Sequence, residues 1–379
     1  MDNFNGLGIG ETLINTLEIL DIKKPTEIQE RIMPLILEGK NVIGQSETGT
    51  GKTLAYLLPI LENLEVGKKE IQVIIVAPTH ELVIQINDVI AKLKEKSNMG
   101  ITSTALIGSG NINRQIEKLK KKPNIVVGST GRILELIEKK KLSAHTVKTI
   151  VLDEGDKLFD NKNLEVVKGI MKATKRDVQK LIVSATLTEK TLEIAKDIIE
   201  DYEVIKTKEK NRVNENVEHG FFLVNDRDKL DLLRKIIHAE KTSKIIVFIE
   251  DSYNANLIVS KLQFHKIKIN ELHGEVSKED RQKSLHEFRQ GKVNVLLATD
   301  VASRGLDIEG ITHVINLTVP RSHKDYIHRA GRVGRAGKSG ISFSMLSPKE
   351  ITRMQEIASK LQIEIDEYDI YKGQVFKCD

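Results

Sequence analysis

The stretch from Asn41 to Leu64, "NVIGQSETGTGKTLAYLLPILENL", decides the fold class of this chain. A short apolar run, a loop that contains Gly49 and Gly51, and a segment with helical spacing of apolar residues follow one another directly. Glycines let the backbone N–H groups of such a loop face an anion, and the positive end of the following helix adds to the attraction. The stretch therefore predicts a phosphate-binding loop between a buried strand and a helix.

The side chains of this loop suit a nucleoside triphosphate that carries a metal ion. Lys52 would reach the β and γ phosphates, and Thr53 would bind Mg²⁺. A strict phosphate-loop pattern needs glycine where Ser46 stands, and the alternative is a glycine-rich turn without a ligand. Because strand, loop and helix occur in the required order, we expect ATP and Mg²⁺ to bind here.

A second stretch, "IVLDEGDKLF" at residues 150–159, has three carboxylates directly behind an apolar run. Like charges repel more strongly as water is excluded, so the cluster needs partners unless it is a solvated turn. In a protein with a phosphate loop, Asp153 would bind Mg²⁺ opposite Thr53. Glu154 would take a proton from the water that attacks the γ-phosphate.

The third carboxylate, Asp156, lies beyond both and needs hydrogen-bond donors rather than the metal ion. The tripeptide "SAT", Ser184 to Thr186, follows the next apolar run and offers two hydroxyls. A strand-to-helix cap is the alternative for this tripeptide. We expect the two hydroxyls to pair with Asp156.

Short runs rich in Val, Ile and Leu alternate with longer amphipathic segments, which is typical of parallel sheets covered by helices. The predicted strands are 41–44, 72–77, 102–106, 125–127, 149–152, 180–183, 244–249, 268–272, 293–299, 313–318 and 340–346. The predicted helices include 81–93, 131–140, 252–264, 280–288 and 350–361. The polar stretch after Lys206 has no periodicity, so we expect two α/β domains, 1–206 and 217–379, joined by a flexible linker at 207–216.

The composition is that of an ordinary globular protein. Hydrophobic residues make up 40% and charged residues 30%, and no apolar run is long enough to span a bilayer. The first ten residues do not resemble a signal peptide, and the single cysteine, Cys378, fits a reducing compartment. We therefore expect a cytoplasmic protein without membrane contact, whose net charge of +5 permits a polyanionic partner without requiring one.

In the second half, "YIHRAGRVGRAG" at 326–337 spaces Arg329, Arg332 and Arg335 three residues apart. On a helix this spacing puts the three guanidinium groups on one face. One hypothesis is that they stabilise charge on the transferred phosphoryl group when the hinge closes. The alternative is a basic helix face that binds nucleic-acid phosphate.

Together these motifs make the chain resemble the helicase core of the DEAD-box RNA helicases, from Phe4 to about Ser347. The matching segments are "PTEIQ" (25–29) to the Q motif, "SETGTGKT" (46–53) to motif I, "PTHEL" (78–82) to Ia, "STGR" (129–132) to Ib, "DEGD" (153–156) to II, "SAT" (184–186) to III, "ATDVASRGLDI" (298–308) to V and "HRAGRVGR" (328–335) to VI. The resemblance implies two tandem RecA-like parallel-sheet domains and an ATP-dependent RNA helicase.

The resemblance also implies roles for individual residues. For the nucleotide it implies Phe4 as a stacking ring, Gln29 as the adenine contact, and Pro25, Ser46, Glu47, Thr48, Gly49, Thr50, Gly51, Lys52, Thr53, Gly305 and Asp307. For RNA it implies Pro78, Thr79, Gly108, Gly131, Arg132, Arg281 and Thr299. For catalysis it implies Lys52, Asp153, Glu154, Arg332 and Arg335, and for coupling Asp156, Ser184, Thr186, His328 and Arg329.

Four positions depart from the family pattern. Gly155 replaces alanine in motif II, His80 replaces arginine in motif Ia, Thr130 replaces proline in motif Ib, and Ser109 replaces a second glycine. Three of them lie on the expected RNA track, so they either weaken the hold on RNA or are neutral drift. If the backbone at Gly155 is that of an ordinary strand, Gly155→Ala should be tolerated and slightly stabilising. If φ at Gly155 is positive instead, alanine would be strained, and both stability and turnover should fall. If His80 faces RNA, His80→Arg should tighten binding.

The sequence therefore predicts an ATP-dependent RNA helicase that clamps single-stranded RNA by its backbone and unwinds short duplexes. Phosphate contacts carry no sequence information, so binding should be sequence-tolerant. Tryptophan is absent and aromatics total 4%, which disfavours a base-stacking platform. The alternatives are an ATP-gated RNA clamp with weak unwinding and a double-stranded DNA translocase, the latter disfavoured by the Q motif. We expect a monomer, and neither the RNA substrate nor a protein partner follows from the sequence.

Overall fold

The structure is a computed structural model, and it describes residues 3–46, 50–160, 163–207, 214–240, 243–252, 254–303, 308, 310–334 and 338–378. The chain divides into two compact units, Met1–Glu209 and Lys210–Asp379, called unit 1 and unit 2 below. Most of the predicted linker, 207–216, lies outside the described residues, so the domain boundaries stay a prediction. Within the described part of the chain, no helix is long and apolar enough to cross a membrane.

Unit 1 is a parallel sheet covered by helices. Its helices are α1 (Glu11–Ile19), α2 (Glu27–Leu37), α3 (Lys52–Glu62), α4 (His80–Ser97), α5 (Ile112–Lys120), α6 (Thr130–Glu138), α7 (Gly155–Leu158), α8 (Leu164–Lys172) and α9 (Glu189–Ile198). Its strands are β1 (Asn41–Gln45), β2 (Val73–Ala77), β3 (Ser103–Leu106), β4 (Ile125–Ser129), β5 (Thr149–Asp153), β6 (Gln179–Ser184) and β7 (Tyr202–Lys206). The strand order is β3-β4-β2-β5-β6-β1-β7, and each pair is parallel.

The burial of β2 explains why its sequence is apolar without alternation. Val73 and Ile75 pack into the core on one face of the sheet, and Ile74 and Val76 pack into the core on the other. Successive side chains of a strand point to opposite faces, so a sheet covered on both sides needs apolar residues throughout. This is the physical basis on which the central strands could be predicted.

Unit 2 has a second sheet of the same kind. Its helices are α10 (Lys229–Ala239), α11 (Ala255–Phe264), α12 (Lys278–Arg289), α13 (Asp300–Ser303), α14 (His323–Ala330) and α15 (Ile351–Leu361). Its strands are β8 (Val217–Leu223), β9 (Ile245–Ile249), β10 (Ile269–Leu272), β11 (Val295–Thr299), β12 (His313–Asn316), β13 (Gly340–Leu346), β14 (Asp366–Tyr371) and β15 (Gln374–Lys377). They are ordered β10-β11-β9-β12-β13-β8-β14-β15, and the β14–β15 pair is antiparallel.

All the strands predicted above are present within a few residues of their expected bounds, and the α/β fold class is confirmed. The sequence analysis missed β7, β8, β14 and β15. Strand β7 has few buried side chains, and β15 is largely exposed. Such edge strands are held by backbone pairing, which leaves little hydrophobic pattern to detect.

Candidate functional site

The strand order of unit 1 divides the carboxyl edge of its sheet into two halves. Strands β3, β4 and β2 are neighbours and lead into the N-termini of α5, α6 and α4. Strands β5, β6 and β1 are also neighbours, and the motifs DEGD, SAT and the phosphate loop follow them. Carboxyl ends of parallel strands are where α/β sheets bind ligands. The expected RNA residues of unit 1 lie on the first half, and most of the expected ATP residues lie on the second.

The described part of the phosphate loop is held by its own side chains. The hydroxyl of Ser46 donates to Thr50 Oγ1 at 2.7 Å, and the Lys52 ammonium donates to the carbonyl of Ser46. Gly51 has φ 84° and precedes the first turn of α3. A left-handed residue there favours glycine, because a side chain would be strained. Glu47, Thr48 and Gly49 lie outside the described residues.

The Q-motif segment braces this loop. Gln29 Nε2 donates to the carbonyl of Gly51 at 3.0 Å, and Gln29 Oε1 accepts from the Thr26 backbone N–H at 2.9 Å. Only 2% of Gln29 is exposed. The structure therefore places Gln29 as a link between the start of α2 and the phosphate loop.

The expected adenine contacts lie at the start of the chain and before α2. Phe4 is 3% exposed and packs into the core of unit 1, and it also lines a surface groove together with Ile14, Ile22 and Lys23. Pro25 is half-buried in the segment before α2. Because the core already covers almost all of the Phe4 ring, this structure offers a base little of its face, and the stacking role stays a prediction.

Each carboxylate of the DEGD stretch has a different partner, which relieves the repulsion between them. Asp153 ends β5, is 4% exposed, and accepts from the Glu154 backbone N–H at 2.9 Å. Glu154 accepts from Lys157 Nζ at 2.6 Å. Asp156 accepts from the hydroxyls of Ser184 at 2.7 Å and Thr186 at 2.9 Å. The predicted pairing of Asp156 with the SAT hydroxyls is thus confirmed.

The backbone of Glu154 is left-handed, with φ 55° and ψ 53°. This conformation is uncommon for a residue with a side chain and costs about 1–3 kcal/mol. Gly155 does not have a strand conformation, as the sequence analysis supposed, because it is the first residue of α7. In the turn from β5 into α7, the residue with positive φ is Glu154, whereas Gly155 packs closely against Ile182.

Tyr56 is a residue beside the DEGD stretch that the sequence analysis missed. This fully buried side chain of α3 donates its hydroxyl hydrogen to Asp153 Oδ2 at 2.8 Å. Thr53, three residues earlier on the same helix, opposes the rise of the Tyr56 pKa. The phenol therefore contacts one of the two residues predicted to bind Mg²⁺ and shares a helix with the other. Its position within the apolar pattern of α3 made it indistinguishable from a core residue in the sequence.

Burial governs the protonation of this pair. Burial raises the pKa of Asp153 to about 6, the hydrogen bond from Tyr56 opposes that rise, and the charge of Glu154 adds to it. Burial also raises the pKa of the Tyr56 phenol well above its usual value. A cation beside Asp153 would favour its charged form.

The other half of the edge presents three helix N-termini. Thr79 caps α4 through a hydrogen bond from the Leu82 N–H at 3.2 Å, and Pro78 precedes it. Gly131 lies in the first turn of α6, where a side chain would meet open space. Thr130, which replaces proline, donates its hydroxyl to Asn163 Oδ1 at 3.0 Å. Helix N-termini attract anions, so this half suits a phosphate backbone.

Arg132 supports a loop rather than presenting an open guanidinium. Its two terminal nitrogens donate to the carbonyls of Gly108 at 2.8 Å and Gly110 at 3.2 Å, and its Nε lies 3.1 Å from Glu135 Oε2. The residue is 8% exposed, whereas Gly108 is exposed. Of the two residues expected to contact RNA here, Gly108 is therefore the accessible one, and Arg132 supports it from behind.

In unit 2, Arg329 and Arg332 of motif VI do not share one helix face, because α14 ends at Ala330. Arg329 is 2% exposed and makes paired hydrogen bonds of 2.7 Å to both carboxylate oxygens of Asp300, with a third, also 2.7 Å, to the carbonyl of Thr318. Arg332 lies beyond the helix and donates to the carbonyl of His328 at 3.1 Å. The prediction of a common helical face was wrong.

Of the remaining expected residues of unit 2, His328 lies on α14, and Thr299 and Arg281 lie at the end of β11 and on α12. Thr299 ends β11 and is 8% exposed, and Arg281 on α12 donates to the carbonyl of Ala302 at 2.8 Å. Gly305, Asp307 and Arg335 lie outside the described residues.

Comparison with known proteins identifies both units. The family model described as DEAD/DEAH box helicase matches residues 26–195, and the model described as Helicase conserved C-terminal domain matches residues 228–337. Among solved structures, the chain is similar to S. cerevisiae Dbp5 bound to RNA and ADP BeF3, with a TM-score of 0.80 and 28% identity over 97% of this chain and 95% of that one. It is also similar to Mss116p bound to ssRNA and AMP-PNP, with a TM-score of 0.79 and 26% identity over 97% of this chain and 79% of that one.

Two curated relatives are more similar in sequence. The DEAD-box ATP-dependent RNA helicase CshC of Bacillus cereus is 43% identical over 93% of this chain and 89% of its own length. The probable ATP-dependent RNA helicase YfmL of Bacillus subtilis is 42% identical over 94% of this chain and 93% of its own length. Identity at this level, over nearly the whole of both proteins, shows that the chain belongs to the DEAD-box ATP-dependent RNA helicases.

Proposed function

We propose that the sheet edge of unit 1 separates the two ligands of this helicase. ATP with Mg²⁺ would bind over β1, β5 and β6, and the RNA backbone would bind over β2, β3 and β4. The observation that supports this division is the strand order, which gathers the phosphate loop, DEGD and SAT on one half and three helix N-termini on the other.

The residues around Asp153 fit a magnesium ion. Tyr56 of α3 donates its hydroxyl hydrogen to Asp153 at the end of β5, and Thr53 lies one helical turn before Tyr56 on the same helix, so α3 connects the two predicted ligands. Hydroxyl and carboxylate oxygens are the ligands that Mg²⁺ accepts in proteins. When bound, the ion would neutralise charge on the phosphate oxygens. Thr53 and Asp153 would hold it, and Lys52 would orient the phosphates from the start of α3.

Glu154 is the proposed general base. Its carboxylate is paired with Lys157, and its left-handed backbone turns it away from the line of β5. Lys157 bonds to Oε2 of this carboxylate, and a carboxylate can accept at both of its oxygens, so Glu154 can keep the lysine and still take a proton from water. Asp156, held by Ser184 and Thr186, would fix the position of the turn.

Binding of RNA by this half would be sequence-tolerant. Backbone N–H groups at helix N-termini contact phosphates, and phosphates carry no base information. A second candidate is an ATP-gated RNA clamp with weak unwinding. It is favoured by His80, whose imidazole stands where the family has arginine and supplies less positive charge to a phosphate.

The decisive experiment uses Glu154→Gln in the full chain. The variant should bind nucleotide normally, hydrolyse it at least about a hundredfold more slowly, and stay bound to RNA in the presence of ATP. The matched control is Lys157→Gln, which removes the partner of the carboxylate and keeps the carboxylate itself, so hydrolysis should be retained. Normal turnover by Glu154→Gln would refute the assignment of the base. A strand-displacement assay on a short RNA duplex, run beside the ATPase assay, separates the helicase from the clamp.

A further inference from the structure

The loop at residues 107–110, between β3 and α5, is held by side chains from three helices. Gln115 of α5 donates to the carbonyl of Ile107 at 3.0 Å. Arg132 of α6 donates to two carbonyls of the loop, as described above. His80 of α4 accepts from the backbone N–H of Gly108 at 3.2 Å through Nε2. The loop is thus positioned from outside at both its carbonyl and its N–H groups.

The contact with Gly108 determines the protonation of His80. A backbone N–H can only donate, so Nε2 must be without a hydrogen, and the neutral ring then carries its hydrogen on Nδ1. Nδ1 lies 3.2 Å from the hydroxyl oxygen of Ser109, which can accept that hydrogen. Both contacts coexist only in the neutral ring. If Nε2 were protonated, its N–H would face the Gly108 N–H, and because both groups can only donate, the hydrogen bond between them would be lost.

His80 and Ser109 are two of the positions that depart from the family pattern, and the structure brings them into contact. Arginine at position 80 would have no acceptor for the Gly108 N–H. His80→Arg therefore changes the loop as well as the charge, which the sequence analysis did not foresee.

The surroundings of this loop suit an anion. Gly108 and Ser109 are exposed, and the N-termini of α4, α5 and α6 begin at the same edge of the sheet. Residues 107–110 contain no charged side chain. Two of the groups that frame this loop are charged: Glu81 is the next residue of α4 after His80, and Arg132 of α6, which is paired with Glu135, donates to the loop carbonyls. An arriving phosphate would compete directly with the imidazole for the Gly108 N–H.

We propose that His80 and Ser109 form a neutral latch on the loop at 107–110, which RNA opens with the uptake of one proton. Without RNA, the imidazole holds the Gly108 N–H. When an RNA phosphate takes that N–H, Nε2 binds a proton from solvent, and the ring becomes a second donor to the same phosphate. His80 is a positioning residue in the RNA-free chain. The proposal rests on the proposed function, in which this half of the edge faces RNA.

The test measures the affinity of the full chain for a fluorescent single-stranded oligouridylate, with a non-hydrolysable ATP analogue, from pH 6 to 8 at constant ionic strength. The affinity of the wild type should rise as the pH falls, by up to about tenfold per pH unit for the uptake of one proton. Calorimetry in two buffers of different ionisation enthalpy should detect that proton directly. His80→Gln keeps an acceptor and a donor but cannot titrate, so its affinity should lose most of this pH dependence.

The matched control is His145→Gln. His145 is an exposed histidine whose Nδ1 also lies beside a serine hydroxyl, 3.1 Å from Ser143 Oγ. It precedes β5, so it lies at the amino edge of the sheet, opposite the carboxyl edge where the proposed RNA site lies. Its pH dependence should equal that of the wild type. A pH-independent affinity of the wild type, or a His80→Gln variant with the full wild-type slope, overturns the latch and leaves the RNA-binding half intact. Absence of RNA binding at every pH would instead overturn the proposed function.

Discussion

Gly155→Ala tests how tightly the DEGD turn is packed. A Cβ atom at position 155 would lie 2.6 Å from Cγ2 of Ile182, whereas carbon atoms in contact are normally about 3.5–4.0 Å apart. Ile182 is 1% exposed on β6 and pairs directly with Leu152 of β5. A β-branched side chain in a buried strand has few other rotamers. The alanine methyl group therefore has to displace either Ile182 or the first turn of α7.

The magnitude follows from two opposing effects. Overpacking a well-filled core typically costs about 1–3 kcal/mol. Replacing glycine by alanine recovers about 0.4–1 kcal/mol, because the unfolded chain loses conformational freedom. We expect a net loss of about 0.5–2 kcal/mol, which for a unit of this size lowers the melting temperature by a few degrees. The earlier expectation of a slightly stabilising substitution is thereby reversed.

The assay is thermal and denaturant unfolding of the wild type, Gly155→Ala, Ile182→Leu and the double variant, with the RNA-stimulated ATPase rate of each. Leucine moves the branch of the side chain from Cβ to Cγ and removes the Cγ2 methyl group, so the double variant should be more stable than the sum of the two single effects predicts, by about 1 kcal/mol or more. The ATPase rate of Gly155→Ala should fall because Glu154 and Asp156 flank the displaced residue. A Gly155→Ala variant as stable as the wild type, or additive effects in the double variant, would refute the packing argument.

Two further predictions concern buried polar groups. Tyr56→Phe removes the hydrogen bond to Asp153, so the free energy of unfolding should fall by about 1.5–3 kcal/mol. The Mg²⁺ concentration that gives half-maximal ATPase activity should rise. An unchanged Mg²⁺ requirement would contradict the positioning of Asp153 by Tyr56. Burial lowers the pKa of His219 to about 4, whereas histidine in an unfolded chain has a pKa of about 6.5. Between these two values the unfolded state binds a proton that the folded state does not. The free energy of unfolding should therefore fall as the pH falls from about 6.5 towards 4. At pH 5 this loss of unfolding free energy amounts to about 2 kcal/mol, and His219→Gln should abolish it. Urea unfolding of both proteins at pH 7.5 and pH 5 measures the difference.

Much of the fold could be predicted from local patterns. Strands such as β2 and β5 are buried on both faces, so their apolar runs stand out, and the glycines and Lys52 after β1 identify a phosphate loop at its end. The pairing of Asp156 with the SAT hydroxyls also followed from chemistry alone, because clustered carboxylates need donors.

The remaining features depend on contacts between residues far apart in the sequence. Tyr56 lies 97 residues from Asp153, and the position of His80 against Ser109 depends on the pairing of strands across the sheet. The end of α14 at Ala330 separates Arg329 from Arg332, although their spacing alone would suit one helix. Periodicity and spacing record which face of an element is buried. They do not record which side chain it is buried against, and that is decided only when the strands align and the helices pack.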